Sequence, residues 1–232
     1  MLSWISVVVL LPLAWLATAP LVAAQSAAVV SARAPASAPW DETLAAFTAA
    51  DLRHAPQPGG VLFVGSSSIR LWDDLETQFS AMPVVIKRGF GGSKLSDCVH
   101  YLDRLVIAYR PRMVLIYAGD NDLAEGKTAE QVLQQFRAFV EGIRQALPAT
   151  RIAFISIKPS PARASLLSEI RRTNTLVSQY AAAMTNVDFI DIFTPMLAAD
   201  GKPRRELFRT DALHLNATGY ALWRSVIEPY VN

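Results

Sequence analysis

Cysteine is almost absent: Cys98 is the only one in 232 residues. A lone thiol excludes an intrachain disulfide framework and a Cys-rich zinc site, so the folded state has to be held together by its core. Inside an amphipathic stretch, Cys98 reads as a small buried apolar group. Histidine is nearly as scarce, with only His54, His100 and His214. No second histidine stands in register with any of them, and neither a metal nor a cofactor is expected. Charge is thin as well. With 18% charged residues, a net charge of +2 and no long basic run or stripe, nucleic acid is not an expected partner. There is no internal repeat.

What is present begins with an apolar leader. Residues 2–24 read LSWISVVVLLPLAWLATAPLVAA and end in the small residues that a signal peptidase would accept. No Lys or Arg precedes the run, and it is long enough to stay in a bilayer. The expectation is an exported chain, periplasmic or secreted, attached to a membrane only if residues 1–24 stay uncleaved as an anchor. A lipoprotein anchor is not expected, because the single cysteine lies far downstream. Residues 25–39 are rich in Ala, Ser and Pro and read as a tether. The remaining 40–232 suit one domain with one active site.

Short β-branched runs alternate with longer amphipathic ones through that domain. The strand candidates are 61–64, 84–87, 113–117, 152–157 and 187–192. Each is nearly all apolar, as parallel strands covered on both faces should be. Helical patterns occupy 93–109, 128–147, a segment within 162–185, and 217–230. Thr128 three residues before Gln131 is a capping-box signature, and Val132, Phe136, Phe139, Val140 and Ile143 recur at helical spacing. Strand then helix, repeated about five times, predicts an α/β fold: a three-layer, doubly wound sandwich around a mostly parallel five-stranded sheet. Ligands of such sheets bind where loops leave the carboxyl ends of the strands.

Four loops carry chemistry, three of them following successive strands. Gly65-Ser66-Ser67-Ser68 puts hydroxyls on a tight turn after the first strand, where a nucleophile can be exposed among backbone N–H donors. Gly89-Phe90-Gly91-Gly92 after the second lets backbone approach a bound group closely. Gly119-Asp120-Asn121-Asp122 after the third offers the Asn121 amide to a developing negative charge. Near the C-terminus, Asp211 stands three residues before His214, close enough to fold back onto Nδ1 and leave Nε2 free to take a proton. His54, before the first core strand, and His100, within a helical pattern, read as structural or surface groups. Each block alone is more often a cap, a turn or a solvated loop. Together they supply a nucleophile, oxyanion donors and an acid-oriented base for acyl transfer.

These blocks, in this order, resemble the SGNH hydrolases, also called GDSL esterases and lipases, over nearly all of residues 60–230. The resemblance implies a flavodoxin-like fold with Ser67 as nucleophile, His214 as base and Asp211 as its partner. It also implies an oxyanion hole from the Ser67 and Gly92 N–H groups and the Asn121 amide. Asn216 and Gly219-Tyr220 follow the Asp-x-x-His block, as relatives often have. Two positions depart from the family pattern: Ser66 stands where Gly-Asp-Ser has its aspartate, and Lys87 where the second block usually opens with asparagine. The first departure leaves Ser66 and Ser68 as alternative nucleophiles in register. The implied activity is serine-esterase hydrolysis of a carboxylic ester on a small molecule, polysaccharide or lipid, with short or acetyl acyl groups expected from short loops. The alternatives are a lysophospholipase or thioesterase acting on longer chains, a noncatalytic phosphate- or carbohydrate-binding module, and a degenerate relative kept for interactions.

Overall fold

The computed structural model describes residues 1–2 and 40–231. The expected tether and the expected leader, from residue 3 onward, lie outside the described residues. Among those described, no helix is long and apolar enough to cross a membrane.

A five-stranded, all-parallel sheet forms the centre, in the order β2-β1-β3-β4-β5. Its strands are β1 (Val61–Gly65), β2 (Val85–Gly89), β3 (Met113–Tyr117), β4 (Arg151–Ile155) and β5 (Val187–Ile190). The helices are α1 (Asp41–Arg53), α2 (Ser67–Arg70), α3 (Leu75–Gln78), α4 (Leu95–His100), α5 (Leu102–Leu105), α6 (Asp120–Ala124), α7 (Ala129–Ala146), α8 (Leu167–Ala182) and α9 (Ala217–Val231). Side chains alternate across each strand, so the sheet feeds two separate cores. Leu62, Val64, Ile86, Val114, Ile116, Ile152 and Phe154 pack with buried side chains of α4, α7 and α8. Val61, Phe63, Met113, Leu115, Ala153, Ile155 and Ile190 face the other way, toward Trp72, Phe79, Tyr220 and Trp223. This is the expected doubly wound α/β sandwich. The chain leaves β1 for one edge through β2 and returns to build the other through β3, so the switch point lies between β1 and β3, where such folds open a crevice.

Several boundaries differ from expectation for physical reasons. β1 and β2 run on into Gly65 and Gly89, which pair with each other. Glycine is demanded there by close approach: a Cβ on Gly65 would lie 1.9 Å from Tyr117 O, and one on Gly89 would lie 2.2 Å from Arg70 N. β5 stops at Ile190 because Ser156 Oγ accepts the Ile192 and Phe193 N–H groups, replacing strand pairing with a side chain. The expected helix over 93–109 is broken into α4, α5 and a 3-10 turn at Ile107–Tyr109, with Tyr101 and Val106 leaving helical dihedrals. Aromatic and β-branched residues such as these hold a helix weakly. α7 falls where the pattern placed it, with Thr128 and Gln131 exchanging both bonds of the capping box. α1 was not anticipated. It buries only Leu44, so it lacks an apolar stripe, although Asp41 and Glu42 at its start and Arg53 at its end carry the charges a helix dipole favours.

Candidate active site

The Ser-rich turn is fixed from below. Ser66 N–H donates to Tyr117 O at 2.9 Å, and the Ser66 carbonyl accepts from Ile69 and Arg70 as α2 begins. Ser66 and Ser68 are fully buried. Ser66 Oγ has no hydrogen-bond partner among the described residues, while Ser68 Oγ accepts from Lys158 Nζ at 3.2 Å. The Ser68 carbonyl accepts from Tyr220 OH at 2.9 Å, and Tyr220 stacks on Trp72 with centroids 5.1 Å apart. Ser67, half-buried, is the serine of the three whose Oγ meets an imidazole: His214 Nε2 lies 3.0 Å away.

His214 reaches that point from an irregular stretch between β5 and α9. Phe208 and Leu215 form an antiparallel bridge, and Arg209 N–H donates to His214 O at 2.8 Å, so 209–214 forms the tip of a small loop. Asn216 Oδ1 accepts the Gly219 N–H, tying the loop to the start of α9. Ala212 takes φ +58, a left-handed conformation that costs an alanine about 1 kcal/mol. That turn folds Asp211 back. Its Oδ1 accepts the Leu213 and His214 N–H groups, each at 2.9 Å, and its Oδ2 lies 2.7 Å from His214 Nδ1. Partial burial works to raise the Asp211 pKa, but the His214 ring and the two N–H groups overcome it and hold the carboxyl well below its ordinary value. An ionised carboxylate only accepts, so Nδ1 carries the ring proton, and Nε2 is left as an acceptor for the Ser67 hydroxyl.

Two other expected residues border the same space. A cavity of about 530 Å³ is lined by Ser67, Gly92, Asn121, His214 and Leu213, with Trp40, Thr43, Arg70 and Gly91. Gly92 has φ +76, and a Cβ there would meet nothing within 4 Å. Glycine at this position is a requirement of backbone angle and not of space. Asn121, at the start of α6, donates through Nδ2 to Ser93 O at 3.0 Å and accepts at Oδ1 from Arg163 Nη2 at 2.8 Å. A guanidinium can only donate, so these two bonds fix which amide atom is which, and Nδ2 keeps a second hydrogen. The structure therefore brings Ser67, His214, Asp211, Gly92 and Asn121 to one place, at the carboxyl ends of β1, β2 and β3. Lys87 lies elsewhere, its Nζ donating to Trp72 O at 3.0 Å. His54 and His100 are exposed, one just after α1 and the other ending α4. Among the described residues, no group of three or more His, Cys, Asp and Glu side chains is arranged to hold a metal.

Sequence reasoning passed over several of these neighbours. Trp40 and Thr43 arrive with α1; Trp40 Nε1 donates to Gly91 O at 3.0 Å. Arg70 lies against the Gly91 backbone, where a Cβ would come within 2.8 Å of its Nε. Arg163 comes from the 3-10 turn Pro161–Leu166. Next to Asn121 in the chain, Asp122 is buried and receives Leu95 N–H on both oxygens, at 3.2 and 3.1 Å. Burial pushes its pKa up to about 6 against that N–H, with Asp120 and Asp97 adding repulsion.

Residues 57–222 match the model of the GDSL-like Lipase/Acylhydrolase family. The alpha1 subunit of platelet-activating factor acetylhydrolase IB from Bos taurus is 27% identical over 169 residues, covering 69% of each chain. Among solved structures, a GDSL-like lipase from Bacteroides thetaiotaomicron superposes with a TM-score of 0.68 at 20% identity, covering 81% of this chain and 96% of its own. A carbohydrate esterase family 3 structure from Talaromyces cellulolyticus gives 0.61 at 19%, covering 74% and 95%.

Proposed function

The chain belongs to the GDSL-like lipase/acylhydrolase family, and we propose that it is a serine esterase that hydrolyses short-chain acyl or acetyl esters through an acyl-enzyme. The observation that carries this reading is the continuous chain of hydrogen bonds from Ser67 Oγ to His214 Nε2 at 3.0 Å and from His214 Nδ1 to Asp211 Oδ2 at 2.7 Å, opening into a cavity that Gly92 and Asn121 also line.

In this mechanism Ser67 Oγ attacks the ester carbonyl carbon while its proton passes to His214 Nε2. Asp211, ionised throughout, stabilises the imidazolium that forms. The carbonyl oxygen gains the negative charge and is met by the Ser67 and Gly92 N–H groups and the free Nδ2–H of Asn121. Collapse of the tetrahedral intermediate breaks the bond to the leaving oxygen, which takes the proton from Nε2 and departs as an alcohol. Water then gives a proton to Nε2, attacks the acyl carbon and releases the acid, and Ser67 recovers its proton. The expectation of short acyl groups accords with the acetylhydrolase named among the relatives.

The test is a rate series over p-nitrophenyl esters from acetate to laurate, with wild-type protein and Ser67→Ala. The proposal expects kcat/KM to be highest at acetate and lost throughout in the variant. A maximum at laurate would replace the short-chain assignment with the long-chain one. Unchanged hydrolysis by Ser67→Ala would defeat the mechanism. We further propose that residues 1–24 direct export; N-terminal sequencing of the protein recovered outside the cytoplasm tests this, with a start near residue 25 expected and exclusively cytoplasmic protein opposing it.

A further inference from the structure

Two cations share one buried carboxylate beneath the site. Asp120 Oδ2 receives Lys158 Nζ at 2.8 Å and lies 3.0 Å from Arg163 Nη1, and Tyr117 OH donates to the same oxygen at 3.1 Å. Lys158 is 2% exposed and also donates to Ser68 Oγ and to Tyr117 OH. Burial works to raise the Asp120 pKa, yet Lys158 and Arg163 together bring it below its ordinary value. Asp120 is therefore ionised, and it serves two basic partners, Lys158 and Arg163.

Stability alone does not call for the second cation. Lys158 and Asp120 would form a neutral, hydrogen-bonded pair by themselves, and bringing a further guanidinium out of water is costly. The second basic partner is the one that reaches the cavity's amide: Arg163 Nη2 donates to Asn121 Oδ1 at 2.8 Å. A charged donor on that oxygen fixes the amide's orientation and draws electrons from its nitrogen, making the Nδ2–H bonds better donors. Arg163 is not among the residues lining the cavity, so it acts through Asn121. Its turn also touches the other half of the site, for Ala162 N–H donates to Ala212 O at 3.0 Å, in the left-handed turn between Asp211 and His214.

We propose that Arg163 is a positioning residue for ester hydrolysis: anchored by the Lys158–Asp120 pair, it orients and polarises the Asn121 amide toward the oxyanion. This rests on the hydrolase reading above. It implies that the contribution of Arg163 is spent in the transition state, on kcat, and is made only through Asn121.

A double-mutant cycle on the full chain tests it, using Arg163→Met, Asn121→Ala and the pair, with kcat and KM for p-nitrophenyl acetate measured separately. Removing Arg163 leaves Lys158 and Asp120 paired and neutral, so the variant is expected to fold, which a melting curve checks. Arg163→Lys carries the same cycle should the Met variant fail to fold, since one ammonium cannot span Asp120 and Asn121 as the guanidinium fork does. The expected result is a fall in kcat of roughly tenfold with KM nearly unchanged in the wild-type background, and a fall of less than about twofold where Asn121 is already alanine. Equal losses in both backgrounds would mean a merely structural role and would overturn the proposal alone. Absence of esterase activity in the wild-type protein would overturn the hydrolase reading and this proposal with it.

Discussion

Ser67 stands on a turn sealed from beneath, with Ser66 and Ser68 fully buried on either side, Tyr220 bonded to the Ser68 carbonyl and stacked on Trp72, and Trp223 edge-on to Trp72. Across the cavity, His214 and Asp211 stand on a loop outside the sheet, the Asp211 side chain 47% exposed. The first side is held by packing and by buried charges, and the second by short-range hydrogen bonds around one left-handed alanine. Two carboxylates make the contrast concrete. Asp122 and Asp211 each accept two backbone N–H···O contacts, yet burial raises the first to about 6, while the second is drawn well below its usual value by its imidazole partner and N–H donors. The two contacts on Asp122 come from one N–H, whereas Asp211 receives two N–H groups and an imidazole; deep burial outweighs the single donor, and the larger donor set outweighs the slighter burial. Changes on the buried side should therefore cost stability, and changes on the exposed side should cost activity with little stability.

The sharpest way to break this contrast is Asp120→Asn. It leaves buried Lys158 and part-buried Arg163 without their counter-charge, and a loss of about 3–5 kcal/mol is expected in urea unfolding; a loss below about 1 kcal/mol would show that the buried side is not charge-locked. On the exposed side, Asp211→Asn removes the charge that stabilises the imidazolium and loosens the choice of tautomer. We expect kcat to fall about 10²-fold or more while unfolding free energy moves by less than about 1 kcal/mol; comparable losses in both would erase the distinction.

The smallest effect concerns Asp122 and pH. Its proton is held in the folded state up to about 6 but only to about 3.9 in an unfolded chain. Between those values the folded state binds more protons, so this group makes stability fall as pH rises from about 4 to about 6 and level off above. A shift of this size corresponds to about 2–3 kcal/mol. Asp122→Asn should flatten that part of the profile, as read by unfolding at pH 4, 5, 6 and 7; an unaltered slope would place the titration elsewhere.

The strands and the long helix were legible because burial on both faces writes itself as short apolar runs, and because Thr128 and Gln131 announce the start of α7. The ends of β1 and β2 were less so, since Gly65 and Gly89 look like turn residues until one sees Tyr117 O and Arg70 N pressed against them. α1 lacked the apolar stripe that periodicity needs, and Trp40 and Thr43 were lost with it. Of the site, the residues with local partners were readable: Asp211 lies three positions from His214, and each remaining candidate follows its own strand. Arg163 was not, because nothing local ties it to Asn121, 42 residues away; only the turn after β4, folded against α6, joins them.

The central claim, that Ser67 is the nucleophile, is tested most directly by treating the protein with an alkyl fluorophosphonate and mapping the adduct by peptide mass spectrometry. The hydroxyl displaces fluoride when a neighbouring base takes its proton. The account predicts a single adduct on Ser67, strongly reduced in His214→Ala. An adduct on Ser66 or Ser68, or an unlabelled protein that still hydrolyses esters, would contradict it.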